Sequence, residues 1–157
     1  MSDGLNLSVK QWEVLGAAPA LVFVMVAKSD GAISVAEEDV LVADWLPRLR
    51  SLSFSPVAKE QKVYQWALGE ATVNMHALFE MSSSALADRL RAAVALLDDH
   101  VPPPKADSVR AKLRGLAQDV AEACGGSRRG LFQKGTDPVS RDEGRTLRLV
   151  DHILRGT

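Results

Sequence analysis

The longest apolar run of the chain, AAPALVFVMVA at residues 17–27, restricts the possible folds more than any other segment. As a helix this run would cover only ~16 Å, which is too short to cross a bilayer. It also lies too far from a basic N-terminal region to resemble a signal peptide. Because it is apolar nearly all round, we predict a central, buried helix.

The one cysteine, Cys124, fits a reducing compartment. We therefore expect a cytoplasmic protein.

Helical periodicity continues through the rest of the sequence, and alternating β-branched runs are absent. A chain of 157 residues with 46% hydrophobic residues suits one domain with a sizeable core. The sequence predicts a single all-α domain, residues 1–157, of about seven helices. The predicted helix starts are Ser8 (with Gln11 as its capping-box partner), Pro19, Ser34, Ser55-Pro56, the serines at 82–84, the segment after the prolines at 102–104, and Ser140. The predicted ends are Gly16, Asp30-Gly31, Met81 and Gly125-Gly126, and Pro47 is predicted to kink or end the third helix near Leu46.

Two helices show a clear apolar stripe. The first stripe comprises Leu86, Leu90, Val94 (or Ala93) and Leu97, and the second comprises Val109, Leu113, Leu116, Val120 and Cys124. The tryptophans at positions 12, 45 and 66 are also expected to pack. His76 is expected to be half-buried or on the surface.

Charge is unevenly distributed along the chain. Residues 1–100 hold 13 acidic and 8 basic side chains, a net charge of −5, and residues 101–157 hold 7 acidic and 11 basic, a net charge of +4. We expect two solvated halves that attract each other. The densest basic stretch, residues 127–135, has too few cations for a nucleic-acid role, so no nucleic-acid partner is predicted.

A short pattern occurs twice, each time after a helix. The first copy is Asp30-Gly31-x-Ile33-Ser34-x-x-Glu37, and the second is Val139-Ser140-x-x-Glu143 with Asp137 just before it. The repeat is weak but gives the chain a pseudo-twofold character. One interpretation is purely structural, since Ser-x-x-Glu is a helix capping box.

The other interpretation is a divalent-cation site. The first copy matches the second half of an EF-hand loop, but Val26 and Lys28 stand where that loop needs oxygen ligands. Each copy alone supplies about two carboxylates, fewer than calcium needs. A cation site would therefore require both copies to meet, with Asp30, Glu37, Asp137 and Glu143 as ligands, or water and backbone carbonyls to complete the coordination shell.

These two stretches, residues 22–46 and 120–154, resemble the TerB-like family, named for tellurite-resistance protein B. The resemblance implies an all-α domain with an acidic cluster where the two motifs meet, thought to hold a divalent cation. It also implies a role in tellurite or stress responses, with unidentified protein partners or a membrane-associated complex. Thr136 and Pro138 depart from the pattern in the second copy.

No catalytic pattern is present in the sequence. The segment GLFQKGTD at residues 130–137 lacks the Gly-Lys-[Ser/Thr] of a phosphate-binding loop, and no H-x-x-x-H pair occurs. We expect a non-enzymatic TerB-like domain that binds calcium, magnesium or zinc. No small-molecule substrate is expected. The alternative is a metal-free helical interaction module in which the same acids only cap helices.

Overall fold

One apolar helix, α1 (Val9–Ala27), lies at the centre of the fold and contacts α3, α4, α5, α6 and α7. The computed structural model describes residues 7–28, 35–52, 54, 57–73, 75–129 and 141–155, with the side chains of all of these except residues 35, 37, 38, 123–129 and 141–143. The other helices are α2 (Val35–Arg50), α3 (Ala58–Val73), α4 (Met75–Glu80), α5 (Ser83–His100), α6 (Pro103–Arg129) and α7 (Arg141–Arg155). Within these ranges the protein has seven helices and no strand, which confirms the predicted all-α class.

Helix α1 begins as the sequence predicts. The Ser8 hydroxyl accepts a hydrogen bond from the Gln11 N–H, and the Gln11 side chain accepts one from the Ser8 N–H, so the capping box is complete. The prediction of two helices divided between Gly16 and Pro19 is wrong, because α1 runs unbroken through both. Burial of nearly every residue from Leu15 onward offsets the hydrogen bond that proline cannot make.

Helix α2 also passes a proline that was predicted to end it. Trp45 and Leu49, on either side of Pro47, are both buried, so packing favours continuing the helix. The Ser51 N–H then donates to the Pro47 carbonyl oxygen, 3.1 Å away, and closes the last turn.

The predicted fourth helix, running to about Met81, is divided into α3 and α4. The Thr72 hydroxyl donates to the Gly69 carbonyl oxygen at 2.7 Å. Such side-chain hydrogen bonds compete with the backbone bonds of a helix, which favours an end at Val73.

Helices α5 and α6 follow the predicted stripes. Ser82 caps α5, and the side chains of Leu86, Leu90, Val94 and Leu97 are buried. The first four stripe residues of α6 are buried as well, while the Cys124 side chain lies outside the described residues. The predicted end at Gly125-Gly126 is wrong, since α6 continues to Arg129. Glycine lowers helix propensity by ~1 kcal/mol, which does not by itself end a helix.

The core joins buried side chains from all seven helices. Helices α1 and α3 approach closely at Gly16, where an added Cβ would lie 2.4 Å from the Ala67 Cβ and 2.8 Å from the Leu68 nitrogen. Next to it, Phe54 packs edge-on against Trp12 and stacks on Tyr64, with ring centroids 5.4 and 4.8 Å apart.

The acidic and basic halves are joined as the charge distribution predicts. Lys105 of α6 pairs at 2.8 Å with Glu60 of α3, whose side chain is only 3% exposed. Arg110 of α6 pairs with Asp98 of α5 and, at 2.8 Å, with Asp107 of its own helix. The pairs with Glu60 and Asp98 anchor α6 to the acidic half.

Candidate functional site

The two motif helices start at equivalent places. Helix α2 begins at Val35, directly after Ser34, and α7 begins at Arg141, directly after Ser140. Glu37 and Glu143 are therefore each the third residue of their helix, the position of the acid in a capping box. This confirms the two predicted helix starts.

Of the four candidate cation ligands, the structure describes only the helical backbone of Glu37 and Glu143. Asp30 and Asp137 lie outside the described residues, and the side chains of Glu37 and Glu143 are likewise not described. Within the described part of the chain, there is no group of three or more His, Cys, Asp and Glu side chains that could hold a metal ion. The shared cation site therefore stays a prediction.

Lys28, two residues before Asp30, has a structural role that the sequence did not reveal. Its ammonium group donates to the carbonyl oxygens of Phe79 and Met81, at 2.7 and 2.5 Å. A cation at the C-terminal end of α4 is favoured by the helix dipole and by the free carbonyl groups there. The positive charge that argues against an EF-hand loop is thus directed towards α4.

Aromatic contacts fix the end of α1 on α2 and α4. The Phe23 ring centroid lies 6.0 Å from that of Trp45 and 6.2 Å from that of Phe79. Together with Lys28, these contacts hold the segment that leads into the first motif.

Helix α2 packs against α3 and α4, whereas α7 packs against α6, α5 and α1. The two motif helices thus rest on largely different neighbours.

The acidic residues of α2 that can be described are solvated. Asp44 is exposed, and Asp39 is exposed but lies 3.2 Å from the Nε2 atom of His76 on α4. His76 is on the surface, as predicted. Sequence spacing could not reveal this contact, because the two residues meet only through the packing of α2 against α4.

A groove between α1, α3, α4 and α5 has a volume of about 340 Å³. Its walls are mainly apolar: Val14, Ala17 and Leu21 of α1, Ala67 and Ala71 of α3, Leu78 of α4 and Ala92 of α5. Three charged side chains, Glu13, Glu70 and Arg89, complete the lining. Sequence reasoning missed this groove, because its small residues carry no pattern until the helices meet.

Other apolar side chains are exposed on α3. Trp66 is 47% and Val73 is 74% exposed, so the prediction that Trp66 packs is wrong. Gly69 lies between them with open space beside it. Trp66, Gly69 and Val73 follow one another at helical spacing, so the two exposed apolar side chains lie on one face of α3.

Among the described residues, α1 is the one helix long and apolar enough to cross a membrane by length and composition. Its most apolar window is 67% buried inside the fold. Core helices of soluble proteins also have these properties, so the helix is weak evidence for a membrane span.

Comparison of the chain with protein-family models, curated proteins and solved structures found no match in any of the three.

Proposed function

We propose that the protein is a non-enzymatic, cytoplasmic domain of the TerB-like type that binds a divalent cation and acts in a tellurite- or stress-response assembly. The ligands are Asp30 and Glu37 of the first motif and Asp137 and Glu143 of the second. The observation that supports this proposal is the equivalent placement of Glu37 and Glu143, each third in a helix that starts directly after a serine.

The cation would connect two parts of the fold that pack on different neighbours. Helix α2 rests on α3 and α4, and α7 rests on α5, α6 and α1. A cation shared by their first turns would neutralise the converging carboxylates. Because it would bind the folded state and not the unfolded chain, it would raise the free energy of unfolding by about 2.7 kcal/mol at a concentration 100 times its Kd.

Thermal unfolding in EDTA and in calcium, magnesium or zinc tests this proposal. Stabilisation of that size corresponds to a Tm increase of about 5–10 °C for a chain of this length. Glu37→Gln and Glu143→Gln should abolish the increase. Glutamine keeps the capping function, as Gln11 shows in α1, so these variants remove a ligand and preserve the cap. Asp44→Asn, an exposed change on the same helix, is the matched control.

The alternative function is a metal-free interaction module, and the exposed stripe of Trp66, Gly69 and Val73 favours it. Under this alternative, the Tm is the same in EDTA and in each metal. Proteins that co-purify with the chain would be lost from a Trp66→Ala variant and retained by Arg145→Ala, which changes an exposed cation on α7. A metal-dependent Tm that Glu37→Gln removes would contradict this alternative.

A further inference from the structure

The groove between α1, α3, α4 and α5 has the dimensions of a ligand site. Its volume of about 340 Å³ falls within the range of roughly 300–1,000 Å³ found for small-molecule pockets. Glu13 and Leu21 mark its two ends on α1 and are separated by ~12 Å along the helix axis. The groove therefore runs along about two turns of α1.

The lining favours an apolar ligand body. Leu21, Ala67 and Leu78 are buried residues at its base, and Ala17 and Ala71 are half-buried. Small side chains leave room for a ligand where larger ones would fill the space. Transfer of apolar surface from water into such a groove is favourable by ~25 cal/mol per Å².

The charged lining residues set the preference for a head group. Two carboxylates and one guanidinium give the groove a net charge of −1. Glu70 already takes part in another interaction in the structure, so Glu13 is the carboxylate best placed to meet a ligand. Arg89 lies on α5 and would repel a cationic head near it. A cation therefore suits the Glu13 end.

From these observations we propose that the groove binds a small amphiphile with an apolar body and a cationic head, with the body between Ala17, Ala71 and Ala92 and the head at Glu13. The proposal rests on different residues from the divalent-cation site, because the described lining of the groove comes from α1, α3, α4 and α5 and the candidate metal ligands belong to the two motifs.

Isothermal titration of the full chain with three probes tests the proposal. The probes are decyltrimethylammonium, decyl maltoside and decyl sulfate, each below its micelle-forming concentration and in EDTA, so that the outcome does not depend on a metal. We expect saturable binding in the order cationic, neutral, anionic. Glu13→Gln should weaken the cationic probe on the order of two- to fivefold, the range for an exposed charge pair, and leave the neutral probe unchanged.

Steric blocking locates the site. Ala92 is exposed on the groove wall, so Ala92→Leu should fold normally and weaken every probe by about tenfold or more. Ala95→Leu, an exposed change on the same helix outside the groove, is the matched control and should have no effect.

Three results would overturn the proposal. They are equal affinity for the three head groups, binding that Ala92→Leu leaves intact, and no saturable binding of any decyl probe. If none of these probes binds, while a basic amphipathic peptide does and loses binding in Ala92→Leu, the occupant is a partner helix and the small-ligand proposal is wrong.

Discussion

Replacing Gly16 with alanine should destabilise the protein, although alanine is the better helix former. The new Cβ would lie 2.4 Å from the Ala67 Cβ, 2.8 Å from the Leu68 nitrogen and 2.9 Å from the Ala67 carbonyl carbon. Two of these three atoms belong to the backbone, so α1 and α3 must move apart. Overpacking of this kind costs up to ~3 kcal/mol. The gain in helix propensity is ~1 kcal/mol.

The net effect should therefore be a loss of about 2 kcal/mol, which lowers the Tm by about 4–8 °C. Urea denaturation followed by tryptophan fluorescence measures the free energy of unfolding. Gly69→Ala is the matched control, because nothing lies within 4 Å of the added Cβ. That control should stabilise the protein by about 0.5–1 kcal/mol. A Gly16→Ala protein that is as stable as the parent would refute the close contact between α1 and α3.

Two further predictions concern buried ionisable groups. Lys105→Met removes the ammonium group that pairs with the buried carboxylate of Glu60 and should lower the free energy of unfolding by about 3 kcal/mol, whereas Arg91→Met, which breaks an exposed pair, should change it by less than about 1 kcal/mol. Equal effects of the two variants in urea denaturation would contradict the importance of burial. Burial raises the pKa of Tyr64 above its ordinary value of about 10. Below about pH 10 both the folded and the unfolded chain keep the phenol proton. Above that pH the unfolded chain loses the proton first, so the free energy of unfolding should fall with rising pH by up to ~1.4 kcal/mol per pH unit. Tyr64→Phe should remove this slope in alkaline denaturation. Tyr64 is the one tyrosine of the sequence, so phenolate absorbance that appears while the protein is still folded would contradict the prediction.

The sequence predicted helices well where local and tertiary preferences agree. Ser8 and Gln11 form the expected capping box, and the stripe of α5 is buried as its spacing requires. In both cases the residues within one or two turns determine the outcome.

Helix boundaries were predicted less well where packing opposes a local signal. Pro19 and Pro47 both indicate a helix start or end, yet each lies inside a helix with buried residues on both sides. The sequence gives the cost of a proline but not the burial that offsets it. Trp66 shows the reverse, since an aromatic residue expected to pack is nearly half exposed.

The features of the candidate sites also divide into those that local sequence determines and those that depend on helix packing. The helix starts after Ser34 and Ser140 could be predicted, because the Ser-x-x-Glu pattern is local. Whether Glu37 and Glu143 share a cation depends on how α2 and α7 are placed, and no local pattern contains that information. The groove could not be predicted either, because its charged lining residues Glu13 and Arg89 come to line one groove only when α1 and α5 pack.

A calorimetric double-mutant cycle on the cation site tests the central proposal most directly. The parent chain, Glu37→Gln, Glu143→Gln and the double variant would each be titrated with calcium, magnesium and zinc. A shared site predicts that a single cation binds the parent, that either substitution alone removes most of the affinity, and that the double variant loses little more. If no metal binds the parent, or if the two losses are independent and additive, the two motifs do not share a cation.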